Sequence, residues 1–464
     1  MFITNNIKAS NVAISTNDNR SLTYRQLDDY GDSLKNKMGE KKCIILFLCD
    51  SSIETLRAFF GILQCQYVPI MIDRKCDTEL VLNLLEKYRP RYIWAKKEDA
   101  SKFQGCSQLF SEGDYTVYQT NYSYYPIFSD LAILLSTSGT TGSPKLVRLS
   151  YKNILVGIKS AVKVFGVHEN DSIIFTLPLD YCYGIVCLLI HFHAGAKVLL
   201  TDKNILDKEF WELFEDQRVT AYYGVPFTYN ILLKIGFFDK KYQHLRYIVQ
   251  AGGLPSKKVF DEYLAKQGIE SYAFYNLYGQ TETVVTSYLP PKNFANKYGS
   301  VGLAFPEMKV SLIQRQDYKE VVINGDNVFM GYANEYKDLS LGDVNNGVSY
   351  TGDIGEFDTD GYLYLKGRVS RFSKLAGVRV GFDDVETLLK SEFQHTDFAC
   401  IGNDEYIEIF YCLDIEPKEI ISFLSNKIRV NKMMIKAYKI DGLPRSGNGK
   451  IRYGELKFFL KQSS

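Results

Sequence analysis

Short apolar runs and longer amphipathic stretches alternate along about the first two thirds of the chain. The strand-length apolar runs, each bounded by polar or turn residues, occupy residues 43–49, 131–135, 172–177, 196–200 and 247–249. Between them, residues 52–64 and 79–88 place apolar side chains at helical spacing. Strands that alternate with helices predict an α/β fold built on mainly parallel sheets.

The pattern changes near residue 300, where short strands joined by tight turns predict a β-rich subdomain. The turn Asp358-Thr359-Asp360-Gly361 has the residues of a β-hairpin connection. From Arg371 onward, two helical patterns and two strand patterns predict a small α+β unit. We therefore expect a large N-terminal domain of residues 1–370 and a small C-terminal domain of residues 371–464.

The composition argues against several classes of function. The 464 residues include 55 Lys and Arg against 54 Asp and Glu, a net charge of +1 that favours neither nucleic acid nor an anionic membrane as partner. The N-terminus lacks the pattern of a secretory signal, and no apolar run approaches membrane-spanning length. We expect a cytoplasmic protein that binds no nucleic acid and no membrane.

The histidines offer no catalytic triad, and no GxSxG elbow supports a hydrolase. His191 and His193 alternate on a strand-like stretch, which favours a packed or surface pair over a pair of metal ligands.

The strongest chemical signal follows the apolar run at 131–135. Its glycines allow backbone N–H groups to approach an anion, while the hydroxyls and the lysine add donors and positive charge. The spacing is not that of a Walker loop. We predict that polyphosphate is bound by Thr137, Ser138, Gly139, Thr140, Thr141, Gly142 and Lys145.

This segment resembles the phosphate-binding signature of the adenylate-forming ligases, which include acyl-CoA synthetases, amino-acid adenylation domains and luciferases. Four further segments resemble the other motifs of that family and occur in the same order, at residues 275–282, 350–353, 367–379 and 443–450. The resemblance extends from residue 131 to residue 450. It implies a large domain followed by a small, mobile C-terminal domain.

The resemblance also implies ATP and Mg²⁺ as the cofactors and assigns the catalytic groups. Thr281 would bind the α-phosphate and Glu282 would hold Mg²⁺, a hard cation that prefers oxygen ligands. Lys450 would bridge the substrate carboxylate and the α-phosphate, because the reaction brings one anion against another. These three residues are the predicted catalytic set.

The nucleoside would lie between the remaining motifs. Tyr278, next to Gly279, would stack on adenine, while Asn276 and the turn that contains Gly252 and Gly253 would border the base. The resemblance also implies that Asp353, assisted by Arg368, would bind the ribose hydroxyls.

The hinge position of the family falls on Arg371, where relatives usually carry Asp and sometimes Lys. Rotation about this residue would present Lys374 and Gly377 to the incoming thiol. The family usually has a hydrophobic residue before the lysine, and this chain has Ser373.

The acyl pocket would include Asp180, Tyr181, Tyr183 and Gly184. Tyr181 aligns with the aromatic gate of many CoA ligases. Asp180 lies one position from the aspartate that binds an α-amino group in amino-acid adenylation domains. The alternative is that Asp180 caps the helix that follows.

We therefore expect an AMP-forming ligase that activates a small carboxylic or amino acid and transfers it to a phosphopantetheine thiol. Because the chain ends shortly after Lys450, that thiol is expected on a separate acyl or peptidyl carrier protein. Three alternatives stay open: an acyl-CoA synthetase that uses free CoA, an enzyme that acylates an amine directly, and a nucleotide-binding protein without catalysis.

Overall fold

The predicted alternation of strands and helices is present in the structure, a computed structural model. It describes residues 7–136, 145–266, 271–369, 371–375, 378–394, 397–403, 405–428, 430–446 and 449–460.

The strands are β1 (Val12–Thr16), β2 (Ser21–Thr23), β3 (Ile44–Cys49), β4 (Val68–Asp73), β5 (Tyr92–Lys96), β6 (Ser107–Glu112), β7 (Tyr115–Gln119), β8 (Leu131–Ser136), β9 (Leu146–Ser150), β10 (Ser172–Ile174), β11 (Lys197–Leu200), β12 (Ala221–Gly224), β13 (Tyr247–Gln250), β14 (Ala273–Tyr278), β15 (Ser287–Leu289), β16 (Ser300–Ala304), β17 (Lys309–Gln314), β18 (Lys319–Asn324), β19 (Tyr332–Ala333), β20 (Val348–Phe357), β21 (Leu363–Arg368), β22 (Phe372–Leu375), β23 (Val378–Gly381), β24 (Phe398–Gly402), β25 (Ile407–Tyr411) and β26 (Ile435–Lys439).

The helices are α1 (Tyr24–Met38), α2 (Ile53–Gln64), α3 (Thr78–Tyr88), α4 (Tyr151–Phe165), α5 (Cys182–Ala194), α6 (Lys208–Asp216), α7 (Pro226–Lys234), α8 (Lys257–Lys266), α9 (Phe382–Glu392), α10 (Pro417–Ile428) and α11 (Leu456–Leu460).

The chain divides into two compact units, and the first comprises residues 1–310 and 323–349. One of its sheets has the order β19-β9-β8-β4-β3-β5-β7-β6. Strands β3, β4, β5 and β8 run parallel in its centre. Every residue of β3 is buried, as expected of a strand covered on both faces.

The second sheet of this unit orders its strands as β16-β15-β14-β13-β12-β10-β11-β1-β2. Its central strands β10 to β14 pair in parallel, so their carboxyl ends share one edge. Local signals set the helix starts: Ser52 caps α2, and Ser150 with Asn153 forms a capping box at the start of α4. The predicted class of mainly parallel sheets with helices is thus confirmed.

The histidine prediction was wrong in its secondary structure. His191 and His193 lie on helix α5, which is buried from Gly184 through His193. A helix that is buried all round has no polar stripe, so its sequence shows no helical period and resembles a buried strand.

The second compact unit comprises residues 311–322 and 350–464. It contains strands in the order β17-β18-β20-β21, the hairpin β22–β23, and the sheet β24-β25-β26. The expected hairpin at Asp358–Gly361 joins β20 to β21, and Gly361 has a φ of +83°. Helices α9 and α10 supply apolar residues to its core, including Val385, Leu389 and Leu424.

The compact division places Tyr350 through Arg368 with the C-terminal residues. The boundary predicted between residues 370 and 371 stays a prediction. Within the described ranges, no helix has the length and apolar character needed to cross a membrane.

Candidate active site

Two buried amides lie side by side at the carboxyl edge of the β12–β13–β14 sheet. Gly224, Gln250 and Asn276 are register partners on these three parallel strands. Gln250 is 0% exposed and Asn276 is 1% exposed. Among the described residues, Gln250 Oε1 and Asn276 Oδ1 have no hydrogen-bond donor. Because a buried polar atom without a partner is costly, two adjacent ones indicate a place for a ligand that donates hydrogen bonds.

The predicted glycine turn borders these amides. Gly252 has a φ of +84°, and a Cβ at Gly253 would lie 2.9 Å from Pro226 Cγ. Gln250 Nε2 donates to the Gly253 carbonyl oxygen at 3.1 Å. Both glycines are therefore required by the backbone of the turn, which brings it against Gln250.

A tight turn carries the chain from β14 to the predicted catalytic pair. A Cβ at Gly279 would lie 2.8 Å from the Val284 carbonyl oxygen, so this position also requires glycine. A 3-10 helix follows at Thr281–Thr283. The Gln280 N–H donates to Thr283 Oγ1 at 3.2 Å and closes its first turn. Thr281 and Glu282 are thus presented from a short, internally bonded helix, next to the buried Tyr278.

Glu282 is joined to Lys145 through a tyrosine that the sequence analysis did not single out. The Tyr332 hydroxyl donates to Glu282 Oε1 at 2.8 Å. The Lys145 ammonium nitrogen lies 3.6 Å from the centroid of the same ring. The last residue of the phosphate motif and the predicted magnesium ligand therefore contact one side chain.

The remaining phosphate-motif residues lie outside the described ones. These are Thr137, Ser138, Gly139, Thr140, Thr141 and Gly142. The strands that flank them, β8 and β9, are antiparallel, with Ser136 opposite Leu146. Strand β8 also pairs in parallel with β4, so its carboxyl end lies at the edge where Asp73 ends β4.

The predicted acyl-pocket residues surround the start of helix α5. The N-cap of α5 is Tyr181, which makes no side-chain cap hydrogen bond, so Asp180 is not the helix cap. A Cβ at Gly184 would lie 2.2 Å from the Pro178 carbonyl oxygen, which only glycine tolerates. Tyr183 donates to the Val249 carbonyl oxygen at 3.0 Å and contacts the Tyr181 ring. The pocket residues thus reach β13, directly before Gln250.

Asp180 lies in a partly buried, acidic environment. Burial, and then the negative charge of Asp73, raises the pKa of Asp180. Within the described ranges, no ion pair joins Asp180 to a cationic side chain. A carboxyl group in this state would gain from a ligand that brings positive charge.

The second unit pairs the two residues predicted to hold the ribose. Asp353 and Arg368 are register partners on β20 and β21, and Arg368 Nε lies 2.9 Å from Asp353 Oδ1. The Asp353 N–H donates to Thr351 Oγ1 at 3.0 Å. Gly352 has a φ of +67°, so the turn of this motif needs its glycine.

Arg371 is anchored within the second unit. Its guanidinium pairs with Asp383 and, at 2.6 Å, with Glu386, and it donates to the Cys400 carbonyl oxygen at 3.1 Å. It also lies over the Tyr453 ring, 3.9 Å from the centroid. The arginine therefore connects helix α9 and strand β24 with the segment that follows Lys450.

Backbone and side-chain hydrogen bonds connect Lys450 and Gly449 with Ser446 and Arg445. The Ser446 N–H and hydroxyl both donate to the Lys450 carbonyl oxygen, at 2.8 and 3.1 Å. Arg445 donates to the Gly449 carbonyl oxygen at 2.9 Å and pairs with Asp397 at 2.8 Å. The backbone carbonyl groups of the predicted catalytic lysine and of the residue before it are thus both hydrogen-bonded.

The sequence analysis expected Lys374 and Gly377 to face the incoming thiol. Lys374 lies on β22 opposite Arg379 of β23. Gly377 lies outside the described residues.

Residues 4–333 match the family model of the AMP-binding enzymes. The chain belongs to this family. Curated AMP-binding enzymes similar to it include the oxalate–CoA ligase of Arabidopsis thaliana, 28% identical over 345 residues, with 70% of this chain and 66% of the relative covered. The 2-succinylbenzoate–CoA ligase of Staphylococcus aureus (strain JH9) is 26% identical over 338 residues, with 70% and 67% covered. The matched region thus spans about two thirds of the length of these relatives.

Solved structures with the same fold include those of MatB and o-succinylbenzoate CoA synthetase. ATP-bound MatB from Rhodopseudomonas palustris matches with a TM-score of 0.80 at 20% identity, over 98% of this chain and 97% of that one. The o-succinylbenzoate CoA synthetase of Bacillus subtilis in complex with AMP matches with a TM-score of 0.78 at 21% identity, over 97% and 95%. At these identities the similarity establishes the fold alone. The family model over residues 4–333 confirms the resemblance seen in the motifs.

For an AMP-binding enzyme, the structure adds two side chains to the predicted site. Gln250 immediately precedes the predicted glycine turn, and its strand-end position next to Asn276 was the available signal. Tyr332 had no local signal, because its contacts with Glu282 and Lys145 come from distant parts of the sequence.

Proposed function

We propose that this protein is an ATP-dependent, AMP-forming ligase that activates a small carboxylic acid and transfers the acyl group to the thiol of free CoA. In the first step a carboxylate oxygen attacks the α-phosphorus, and the bond to the bridging oxygen of pyrophosphate breaks. In the second step the thiol sulfur attacks the acyl carbon, AMP leaves, and the thiol proton passes to solvent.

The observation that carries the proposal is the pair of buried acceptors at the edge of the β12–β13–β14 sheet. Asn276 Oδ1 and Gln250 Oε1 lack donors among the described residues, and the exocyclic amino group of adenine supplies two N–H donors. In this arrangement Tyr278 stacks on the base, and the turn at Gly252 and Gly253 lets the backbone approach it.

The phosphates would be held by Lys145, Thr281 and the loop that follows β8. Glu282 suits Mg²⁺, because this ion prefers hard oxygen ligands and usually binds one or two carboxylates together with substrate phosphates. In the described part of the chain no group of three or more His, Cys, Asp or Glu residues could hold a metal. Bound at Glu282, Mg²⁺ would neutralise phosphate charge.

The second unit would complete the reaction. The carboxylate of Asp353, oriented by Arg368, would accept hydrogen bonds from the ribose hydroxyls. Lys450 would place its ammonium between the carboxylate and the α-phosphate during adenylation. A rotation near the proposed boundary at residues 370 and 371, with Arg371 as the hinge, would then bring Lys374 and Gly377 to the thiol.

Free CoA is the proposed acceptor because the named relatives are CoA ligases. The separate carrier protein expected from the sequence finds no support in these comparisons. The relatives act on acids as small as oxalate, so we place oxalate, other short dicarboxylates and 2-succinylbenzoate first among the substrates to be tested.

A second substrate class is favoured by one observation. Asp180 is half-buried and, among the described residues, has no cationic partner, and burial raises its pKa. The ammonium group of an amino acid would satisfy this carboxyl group. Amino acids therefore belong in the same screen.

The test is a pyrophosphate-exchange screen over short-chain, dicarboxylic, aryl and amino acids, followed by addition of CoA, a holo carrier protein or a simple amine to the active acid. We expect exchange that depends on one acid class, and an acyl-CoA product. If pyrophosphate exchange occurs but the carrier protein or the amine is acylated instead of CoA, that acceptor replaces CoA in the second step. Absence of exchange with every acid would indicate a nucleotide-binding protein without catalysis.

A further inference from the structure

One tyrosine contacts two predicted site residues of opposite charge. The Tyr332 hydroxyl donates to Glu282 Oε1 at 2.8 Å, and its ring face lies 3.6 Å from the Lys145 ammonium. A hydrogen bond to a carboxylate restricts the side-chain rotamer of the acceptor. A cation over an aromatic face is attracted by the ring electrons. The same side chain therefore restrains both charged groups.

Tyr332 is held in place by the strand that follows the phosphate motif. It pairs with Val147 of β9, so it lies beside the strand that begins directly after Lys145. Gly331 before it has a φ of +115°, and a Cβ there would lie 2.4 Å from Val344 and 3.1 Å from Arg148 Nη2. The backbone at this position thus admits only glycine.

One further contact connects this segment with the glutamate, and another connects it with strand β9. The Phe329 N–H donates to the Glu282 carbonyl oxygen at 2.9 Å. The fully buried Arg148 donates to the Met330 carbonyl oxygen at 2.8 Å. The backbone that carries Tyr332 and the backbone that carries Glu282 are therefore hydrogen-bonded to each other, which makes the hydroxyl-to-carboxylate contact a fixed feature of the fold.

We propose that Tyr332 is a positioning residue that orients Glu282 toward the metal bound with ATP and holds Lys145 toward the phosphates before the nucleotide arrives. This inference rests on the proposed function. Groups that are ordered beforehand lose less conformational freedom on binding, so affinity for the metal–nucleotide complex rises.

The two functions of the ring and the hydroxyl can be separated by substitution. Tyr332→Phe keeps the ring under Lys145 and removes the hydrogen bond to Glu282. We expect a rise of about tenfold in the Mg²⁺ concentration at which ATP affinity reaches half of its Mg²⁺-dependent increase. This is the effect expected when one hydrogen bond to a charged group is lost. Tyr332→Leu also removes the cation–π contact with Lys145. ATP affinity measured without Mg²⁺ should therefore be about threefold lower in Tyr332→Leu than in Tyr332→Phe.

Binding is measured by calorimetric titration of ATP at a series of Mg²⁺ concentrations, with no acid present. AMP binding without Mg²⁺ reports the base and ribose contacts, and it should stay within about twofold of wild type in both variants. The matched control is Tyr88→Phe, because the Tyr88 hydroxyl donates to the carbonyl oxygen of Ala333 at 2.8 Å, next to Tyr332. This control should leave the Mg²⁺ dependence unchanged.

Glu282→Gln separates failure of this inference from failure of the proposed function. If wild-type ATP binding does not depend on Mg²⁺, the Mg²⁺ site in the proposed function is wrong. If Glu282→Gln removes that dependence while Tyr332→Phe leaves its Mg²⁺ midpoint at the wild-type value, or if Tyr88→Phe shifts the midpoint as much as Tyr332→Phe does, Tyr332 has no positioning role.

Discussion

Replacement of Arg371 by alanine would leave a buried carboxylate without its closest cation. Arg371 is 19% exposed and Glu386 is 6% exposed, and their atoms Nη2 and Oε1 lie 2.6 Å apart. Glu386 keeps three other contacts: the Cys400 N–H at 2.8 Å, the Tyr453 hydroxyl at 3.1 Å, and the Lys390 ammonium at 3.7 Å. The carboxylate would thus be left underpaired in a site that excludes most water.

The size of the effect follows from these contacts. Removal of one partner from a buried ion pair typically costs about 3–5 kcal/mol. Because Glu386 retains two donors and a more distant cation, we take the lower end, about 3 kcal/mol, which includes the lost contact with the Tyr453 ring. The double variant Arg371→Met with Glu386→Gln removes both charges and should recover most of this loss, since such swaps are often close to neutral.

The assay must distinguish the two units. Trp94 and Trp211, the two tryptophans of the chain, both lie in the first unit, so the fluorescence transition in urea reports that unit. Hydrogen exchange of the fully buried strand β25 reports the second unit. A loss of about 3 kcal/mol corresponds to roughly hundredfold faster exchange.

The matched control is Arg452→Ala, which breaks an exposed pair with Glu455 in the same unit and should change little. If β25 exchange in Arg371→Ala rises less than about fivefold, or if the double variant is no better than the single one, the buried-pair reasoning is refuted.

The proposed hinge makes a separate claim about the same residue. Arg371→Pro fixes φ and removes the N–H that donates to the Arg368 carbonyl oxygen at 3.0 Å. If torsions here must change between half-reactions, the proline variant should retain pyrophosphate exchange and lose thioester formation. Arg371→Ala supplies the baseline, and an equal effect of both substitutions on both steps would move the hinge elsewhere.

Three further predictions concern catalysis, specificity and pH. Lys450→Ala should lower pyrophosphate exchange by about 10²–10⁴ and largely spare thioester formation from supplied acyl-AMP; equal losses would contradict the assignment. Asp180→Asn should raise KM for an amino acid, if one is the substrate, far more than for its des-amino analogue, and similar small changes would exclude amine recognition. Burial lowers the pKa of His191 to about 4 from 6.5. The unfolded chain therefore binds this proton first, and the contribution of His191 to the free energy of unfolding falls by up to about 1.4 kcal/mol per pH unit as pH drops from 6.5 toward 4. His191→Gln should flatten that part of the stability curve, and an unchanged slope would refute the assignment.

Much of the architecture was readable from local pattern. The helices predicted at residues 52–64 and 79–88 match α2 and α3 closely, because each has an apolar stripe and a polar start. Helix α5 was misread because complete burial removes the periodic signal that distinguishes a helix from a strand.

The sequence by itself determined the family and the order of its motifs, because each motif is a local pattern of glycines, hydroxyls and charged residues at fixed spacing. Tertiary structure alone decided which residues meet across long separations. The bond from Tyr332 to Glu282, the adjacency of Gln250 and Asn276, and the burial of Arg371 against Glu386 all depend on strand register and helix packing. Such contacts are formed by residues distant in the chain, so no local spacing or periodicity encodes them.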